Sequence, residues 1–227
     1  MFKIQANEKA VSDVTSTGSY MNTSGIYPVT INFASVSKTR NGAEQINFNV
    51  TNGETTKTFY GPYYKQTNGE YNEIAVSLYS KLGVIIGLED GAEFTTETEE
   101  RMVGMPAKPM ELEVIQELVD VPVYMHIKAK YNLYQGNIKE NLEIRSFFRA
   151  EDSASAAEIL KGSNFGDQMT VVEEKYASDV TYEDGLTEEE VKDWKHSRKN
   201  SNGEAKKGPT PKAKPKAPAF KPNPFAK

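Results

Sequence analysis

Two Asn-Gly pairs, at residues 41–42 and 52–53, constrain the fold of this chain more than any other feature. They separate three segments, residues 28–40, 43–51 and 54–61, in which β-branched and aromatic residues are frequent. Both residues of an Asn-Gly pair tolerate the positive φ angles of a two-residue type I′ turn, so the pair is a strong hairpin signal. The sequence therefore predicts an antiparallel meander of three strands over residues 28–62.

Two-residue turns would also fix which side chains share a face of the meander. Phe48 would lie opposite Lys57, and Ile46 opposite Phe59. The same, mostly apolar face would include three residues of the first strand, Phe33, Ser35 and Ser37. The opposite face would carry Val36 together with Lys38, Gln45, Asn47, Asn49, Thr56, Thr58 and Tyr60. Such a face is either the water-exposed side of an antiparallel sheet or a binding surface.

The order of the remaining elements indicates one architecture. Residues 73–88 predict a helix, because Ile74, Leu78, Leu82 and Ile85 recur at helical spacing and Asn72 can cap the first turn. Residues 121–133 and 141–150 alternate apolar and polar side chains and predict two more strands. Three strands, a helix and two strands is the order of the OB-fold. The predicted fold class is therefore mainly β, a five-stranded OB-fold Greek-key barrel with one helix between strands three and four.

The net charge of -5 conceals three zones. Residues 1–149 carry a net charge of -4, residues 150–194 one of -10 and residues 195–227 one of +9. We expect a flexible arm at residues 1–19, an OB-fold domain at 20–163 with an acidic insertion at 89–120, an acidic segment at 164–194 and a basic tail at 195–227. The tail is rich in Lys and Pro and cannot bury enough apolar surface to fold alone. We therefore expect the charged C-terminal region to be largely disordered.

Several classes of function are disfavoured by what the chain lacks. It has no cysteine and only two histidines, so thiolate chemistry is excluded and no metal ligands stand at credible spacing. No glycine-rich phosphate-binding motif occurs. No run of about 20 apolar residues is present that could span a membrane, and the first residues lack a long apolar run, from which we expect no secretory signal. We expect a cytoplasmic protein that is not an enzyme and uses no cofactor or metal.

The predicted polar face and its flanking loops combine cations with aromatic rings. Proteins that bind single strands need both, because cations neutralise phosphates and rings stack on bases. The candidate cations are Lys38, Arg40, Lys57, Lys65, Lys128, Lys130, Lys139, Arg145 and Arg149. The candidate rings are Tyr60, Tyr63, Tyr64, Tyr124, Tyr131, Tyr134 and Phe147, with Phe147 outward and Phe148 inward on the last strand, and Asn47 and Thr58 complete the face. Each of these alone is more often an ordinary surface or packed residue. Their convergence on one face favours binding.

Residues 20–150 resemble the phage-encoded OB-fold single-stranded-DNA-binding proteins. The similarity lies in the strand-turn-strand run from residue 24, the FYGP and KLGVIIGL segments, and the later VPVYMHIKAKY and NLEIRSFF segments. It rests on element order and pattern rather than on an invariant signature. The resemblance implies a sequence-independent single-stranded-DNA-binding protein that acts in phage DNA replication or recombination in the host cytoplasm.

The C-terminal region departs from the acidic tail with which many single-strand binders end. Its acidic part is internal and finishes at Trp194, and the basic tail that follows contains Phe220 and Phe225. Besides a solubilising linker, three roles stay open: added non-specific affinity for DNA, docking of replication or recombination proteins through Trp194, Phe220 and Phe225, or folding back onto the acidic segment. The alternative function is a protein–protein adaptor or virion component built on a small β-barrel.

Overall fold

One eight-stranded sheet dominates the structure, a computed structural model that describes residues 21–53, 55–104 and 106–200. The strands are β1 (Gly25–Lys38), β2 (Glu44–Asn52), β3 (Thr55–Lys65), β4 (Thr96–Val103), β5 (Lys108–Ile115), β6 (Val121–Tyr134), β7 (Asn137–Arg149) and β8 (Val180–Tyr182). The helices are α1 (Glu73–Ile85), α2 (Ala156–Lys161), α3 (Asp167–Lys175) and α4 (Glu188–Asn200). The mainly β fold is confirmed. Within these ranges no helix is long and apolar enough to cross a membrane. The predicted arm and the candidate docking residues Phe220 and Phe225 lie outside the described residues.

β1 is the central strand because it pairs along both edges. On one edge it pairs with β2, which pairs in turn with β3. On the other edge residues 25–31 pair with β6 and residues 34–36 with β5. β6 continues to β7 and takes β8 as a short parallel neighbour, while β5 pairs with β4. The acidic insertion predicted at residues 89–120 is thus mainly the β4–β5 hairpin, attached to the C-terminal half of β1.

The sheet is open between β3 and β7, a gap that we call the seam. Cα atoms of the two strands come within 8 Å, but the described residues form no backbone ladder across the seam. α1 packs against both strands. Pro62 has no N–H to donate to a neighbouring strand, and its carbonyl oxygen accepts a hydrogen bond from the Tyr79 hydroxyl at 2.6 Å. The predicted closed barrel is therefore not formed, and at Pro62 the strand has no N–H to donate and a carbonyl oxygen that is already bound by α1.

The predicted register of β2 and β3 is two residues out. Phe48 lies opposite Phe59, and Asn47 opposite Tyr60, because Asn52 pairs directly with Thr55. Side chains alternate with a period of two, so a slip of two residues leaves each of them on its predicted face.

The predicted faces of β1 are inverted. Its connection to β2 is a longer loop, in which the Thr39 N–H donates to the Ala43 carbonyl at 2.8 Å and Gly42 has a φ of 90°. This loop pairs Lys38 with Glu44, one residue out of the predicted register, so Val36 lies opposite Ile46 on the core side and leaves the predicted polar face. A bulge interrupts the pairing further along β1, between Ile31 and Phe33. Phe33, Ser35 and Ser37 move to that polar face, and Lys38 leaves it to pair with Glu44.

α1 covers the core side of the sheet beside the seam. It begins at Asn72, whose side-chain oxygen accepts the backbone N–H groups of Ile74 and Ala75, as predicted. The buried residues are Ala75, Leu78, Tyr79, Leu82, Gly83 and Ile85. Ile74 was expected in this stripe but is 82% exposed. It precedes Ala75 by one residue and so points about 100° away from the stripe.

The prediction that Phe147 faces outward is wrong. A bulge between His126 and Ile127 makes β7 contribute an extra residue, so that Ile127 lies opposite Ile144 and Met125 opposite Phe147. Ile144 and Phe147 therefore both face the core, although they are three residues apart. The Phe147 ring is buried with its centroid 5.5 Å from that of Phe48. Phe148, expected inward, is buried as well, but on the other face of the strand, opposite Tyr124.

Residues 164–200 are more ordered than the sequence predicts. β8 and α4 build a second, smaller core on β6, in which Tyr131 is fully buried. Its ring stacks on Tyr182 with centroids 5.8 Å apart and meets Trp194 edge-on at 6.3 Å. Val191 completes the cluster. The apolar residues of the acidic segment, although few, thus find partners on β6.

Gly61 is placed where a side chain has no room. A Cβ built on it would lie 2.7 Å from the Ile46 carbonyl oxygen and would also meet the Tyr79 hydroxyl. A contact with backbone cannot be relieved by rotating a side chain, so Gly61→Ala should lower the free energy of unfolding by about 1–3 kcal/mol. Chemical denaturation measures this change directly.

Gly83→Ala is the matched control for Gly61→Ala. Gly83 lies inside α1, and its nearest neighbour to an added Cβ would be the Leu88 side chain at 3.5 Å, an ordinary contact. Because glycine costs a helix about 0.5–1 kcal/mol relative to alanine, this variant should be more stable than the parent. Equal effects of the two substitutions would contradict the close approach at Gly61.

Candidate nucleic-acid interface

One face of β1, β2 and β3 carries polar, uncharged side chains. We call it the polar face: Ser35, Gln45, Asn47, Asn49, Thr51, Thr56, Thr58 and Tyr60, with Asn32 at the β1 bulge. Asn32 Nδ2 donates to Asn49 Oδ1 at 2.7 Å and to Thr51 Oγ1 at 2.8 Å. Gln45 Nε2 donates to Asn47 Oδ1 at 3.0 Å. These hydrogen bonds orient the amides. Ser35 and Asn49 are buried, and the accessible members of the face carry no fixed charge.

Tyr60 is the most exposed aromatic residue of this face. It lies opposite Asn47, and 66% of its surface is accessible. Water contact on so much of an aromatic ring is unfavourable by about 25 cal/mol per Å² of apolar area. An exposed ring carried by a strand is a ready stacking partner for a planar ligand.

A groove of about 630 Å³ lies directly beside Tyr60, along the seam. We call it the seam groove. β3 contributes Tyr60, Gly61, Pro62 and Tyr63, α1 contributes Glu73, Ile74, Ser77, Leu78 and Lys81, and β7 contributes Glu143, Ile144 and Arg145. Its volume is in the range of small-molecule sites. The seam groove thus brings together Tyr60, Tyr63 and Arg145, which the sequence predicted from distant segments.

Most of the other predicted cations are engaged by carboxylates of the same chain. Lys38 and Lys65 lie 3.5 and 3.4 Å from Glu44. The Tyr64 hydroxyl also donates to Glu44, at 2.9 Å, and with these lysines it holds the pKa of Glu44 below its usual value. These contacts gather at the ends of β1, β2 and β3 on the core side, away from Tyr60. Pairs this exposed are worth only about 0–1 kcal/mol, so a phosphate could replace them.

The acidic segment covers the predicted cations of β6. Lys130 Nζ lies 2.8 Å from Glu183 and 3.5 Å from Glu143, and Lys128 Nζ lies 3.8 Å from Asp179. The contact with Glu183 is the main cause of the raised pKa of Lys130. In the folded chain these two lysines therefore pair with carboxylates of the acidic segment, whereas the sequence predicted that they contact DNA phosphates.

Lys57 faces away from the polar face. It lies opposite Val50, and its Nζ donates to the Met21 carbonyl at 2.8 Å and to Asn22 Oδ1 at 3.1 Å. Burial lowers its pKa. Lys57 thus anchors the segment before β1, and the structure does not bring it together with Tyr60.

Two predicted stacking rings are not available as flat surfaces. Tyr131 is buried in the second core, and its hydroxyl donates to Glu140 at 2.5 Å. Tyr64 packs edge-on against Tyr79 with centroids 6.1 Å apart. The sequence could not separate these from exposed tyrosines, because their partners, Trp194 and Tyr79, are distant along the chain.

Three predicted residues remain exposed at the loops. Arg40 lies in the β1–β2 loop, and Tyr134 precedes the β6–β7 turn with about half of its surface accessible. Lys139 Nζ lies 4.0 Å from the centre of the Tyr134 ring and covers one of its faces. Tyr124, by contrast, is only partly exposed, between Pro28 and Phe148. Tyr134 is therefore an accessible ring outside the seam groove, in addition to Tyr60 and Tyr63.

Lys81 and Ser77 belong to the seam groove but were missed from the sequence. A signal was present: Glu73, Ser77 and Lys81 follow each other at intervals of four and therefore form one stripe along α1. The prediction considered only the apolar stripe of this helix. Nothing in the local pattern indicates that β3 and β7 stand on either side of it.

The β4–β5 hairpin borders the polar face at β1. The Arg101 guanidinium lies 5.4 Å from the centre of the Phe33 ring and, with the hairpin, leaves Phe33 buried. Arg101 also pairs with Glu99 at 2.6 Å. The acidic hairpin therefore bounds the polar face along β1, at the edge away from Tyr60. A ligand on this face can extend past β3 toward the seam.

Trp194, predicted as a docking residue, packs in the second core. Its indole contacts Tyr131, and the Arg198 guanidinium lies 4.9 Å from its ring centre. It is partly accessible. Its main observed role is to hold α4 against β6.

No protein-family model matches the chain, and no curated protein matches it.

Proposed function

We propose that the protein binds single-stranded DNA without sequence preference, in replication or recombination, as the phage-encoded proteins that it resembles do. The observation that carries the proposal is Tyr60, a largely exposed ring on an uncharged, hydrogen-bonding sheet face that opens into the seam groove. Each base–aromatic stack is worth about 1–3 kcal/mol and tolerates any base, because every base has a flat face.

The proposal includes an OB-type architecture, open at the seam. In it β1, β2, β3, β6 and β7 correspond to the five strands, and α1 to the helix between strands three and four. Two features support this assignment: β1 pairs with both β2 and β6, and β3 and β7 approach each other across the seam. The β4–β5 hairpin is then an insertion between the helix and the fourth strand.

The charge distribution favours single strands over duplex DNA. Duplex binders present a broad basic face, whereas here the lysines of β6 are paired with Glu183 and Asp179. A single strand can place its bases on Tyr60 and use fewer cations. Binding should consequently be weaker in salt but less steeply salt-dependent than that of a strongly basic protein.

A titration with single- and double-stranded DNA of the same sequence, at two salt concentrations, tests the proposal. We expect the full chain to bind oligo-dT and a mixed single strand with similar affinity, to bind the duplex at least tenfold more weakly, and to lose affinity as salt rises. Equal binding of single and double strands, or no binding of either, would refute the proposed function.

The alternative function, an adaptor or virion component, is favoured by the β4–β5 hairpin. This hairpin exposes Met102 and Met110 among several glutamates, and β4 forms one edge of the sheet. An exposed edge can pair with a strand of another protein. An adaptor would show no preference for single strands in the same titration.

A further inference from the structure

Tyr60 belongs to the polar face and to the seam groove at once. Its cross-strand neighbour is Asn47 on the polar face, and the next residues of β3 turn into the groove, where Tyr63 is the second exposed ring. Tyr63 lies opposite Gln45, so the two accessible rings, separated by Gly61 and Pro62, both stand along the β3 edge of the polar face and both line the groove.

The seam groove has an apolar floor and a charged rim. Leu78 and Ile144 are buried at its floor, while Lys81 on α1 and Arg145 on β7 stand on opposite walls. The rim also has two carboxylates, Glu73 and Glu143, and Glu143 lies 3.4 Å from Arg145. A groove that is lined by Leu78 and Ile144 and bordered by cations and carboxylates suits a nucleobase, which stacks on its faces and carries both donors and acceptors on its edges.

We propose that a single strand lying on the polar face turns over the β3 edge at Tyr60 and continues into the seam groove. A base then packs against Tyr63 above Leu78, and the adjoining phosphates contact Lys81 and Arg145. This inference rests on the proposed function and adds a second subsite to it. The subsite exists because the sheet is open, since a ladder between β3 and β7 would close the groove.

Ser77→Glu tests the subsite without disturbing the core. Ser77 is an exposed residue of α1 that lines the groove, and a glutamate there would stand four residues before Lys81, the spacing at which the two side chains pair. It would place a negative charge in the groove and occupy Lys81. Ser80→Glu is the matched control, because it adds the same charge to the same helix at an exposed position outside the groove.

The measurement is fluorescence anisotropy of labelled oligo-dT of two lengths, about four and about twelve nucleotides, within the range that one OB-type domain covers. For the longer oligonucleotide we expect Ser77→Glu to lower affinity about tenfold and Ser80→Glu to change it by less than about twofold. The shorter one should bind both variants like the parent, because the polar face alone accommodates it.

Other outcomes separate the two proposals. If Ser77→Glu binds the longer oligonucleotide as Ser80→Glu does, the strand does not enter the groove, and the proposed function still stands on the parent's binding. If Ser77→Glu weakens both lengths equally, the groove is not a second subsite. If the parent binds neither length, the proposed function fails and takes the inference with it.

Discussion

Replacing Tyr60 with alanine is expected to weaken binding of oligo-dT by about tenfold, and by up to about a hundredfold. The ring is 66% exposed and packs little against the protein, so its removal costs stacking with the ligand and little stability. A stack of about 1–3 kcal/mol corresponds to this range, since 1.4 kcal/mol is a factor of ten. Fluorescence titration of the full chain at one fixed salt concentration measures the effect.

Two further variants identify the cause of that loss. Tyr60→Phe keeps the ring and should retain most of the affinity for oligo-dT. If a hydrogen bond of the hydroxyl group carried the affinity instead, Tyr60→Phe would weaken binding as much as Tyr60→Ala does. Tyr176→Ala removes a half-exposed tyrosine at the end of α3, away from the polar face, and should bind like the parent. Undiminished binding by Tyr60→Ala would show that the ligand does not lie on the polar face.

The sequence predicts the elements of this fold better than the positions of their side chains. The faces of β2 and β3 are correctly predicted because their register error is an even number of residues. In β1 the cause is the loop to β2, which pairs Lys38 with Glu44 instead of Gln45, and a shift of one residue inverts every side chain. In β7 the bulge opposite His126 and Ile127 has the same effect on the residues beyond it. No local signal marks the longer loop or the bulge. Phe33 and Phe147 were therefore assigned to the wrong faces.

The exposure of a candidate site residue can be predicted from the sequence only where no distant segment packs on its strand. Tyr60 and Tyr63 lie on an edge strand, so few distant residues can cover them. Lys128, Lys130 and Tyr131 have the same alternating pattern on β6, but the segment that covers them lies some fifty residues further along the chain. A pattern read along one strand cannot indicate which remote segment will pack on it. The sequence shows that residues 150–194 are acidic, but it does not show that part of this segment packs against β6.

These corrections move the expected binding surface toward one side of the sheet. The side around β6 is occupied by the acidic segment, and the β4–β5 hairpin limits the polar face at β1. The accessible cations nearest to Tyr60 are then Lys81 and Arg145 in the seam groove. The open seam, which departs from the predicted closed barrel, thus leaves room for a ligand at the place where the exposed rings are.

Phe147→Ala is expected to lower the free energy of unfolding by about 3–5 kcal/mol. Phe147 is almost completely buried, and its ring packs at 5.5 Å from that of Phe48, which also contacts Tyr79 of α1. Removing a buried phenyl group loses its transfer free energy and leaves a cavity that the surrounding sheet cannot fill. Thermal and denaturant unfolding of the full chain measure the loss, which should lower the melting temperature by roughly 10 °C.

Phe147→Leu distinguishes a core residue from the base-stacking ring that strand alternation alone predicts. Leucine keeps most of the apolar volume but has no aromatic face, so a core role predicts a small loss of stability, about 1–2 kcal/mol, and unchanged affinity for oligo-dT. Phe165→Ala, at a half-exposed phenylalanine, is the control for losing a phenyl group outside the core and should cost less than about 1 kcal/mol. If Phe147→Leu unfolds like the parent but binds oligo-dT about tenfold more weakly, Phe147 is a ligand contact and the bulged register of β7 is incorrect.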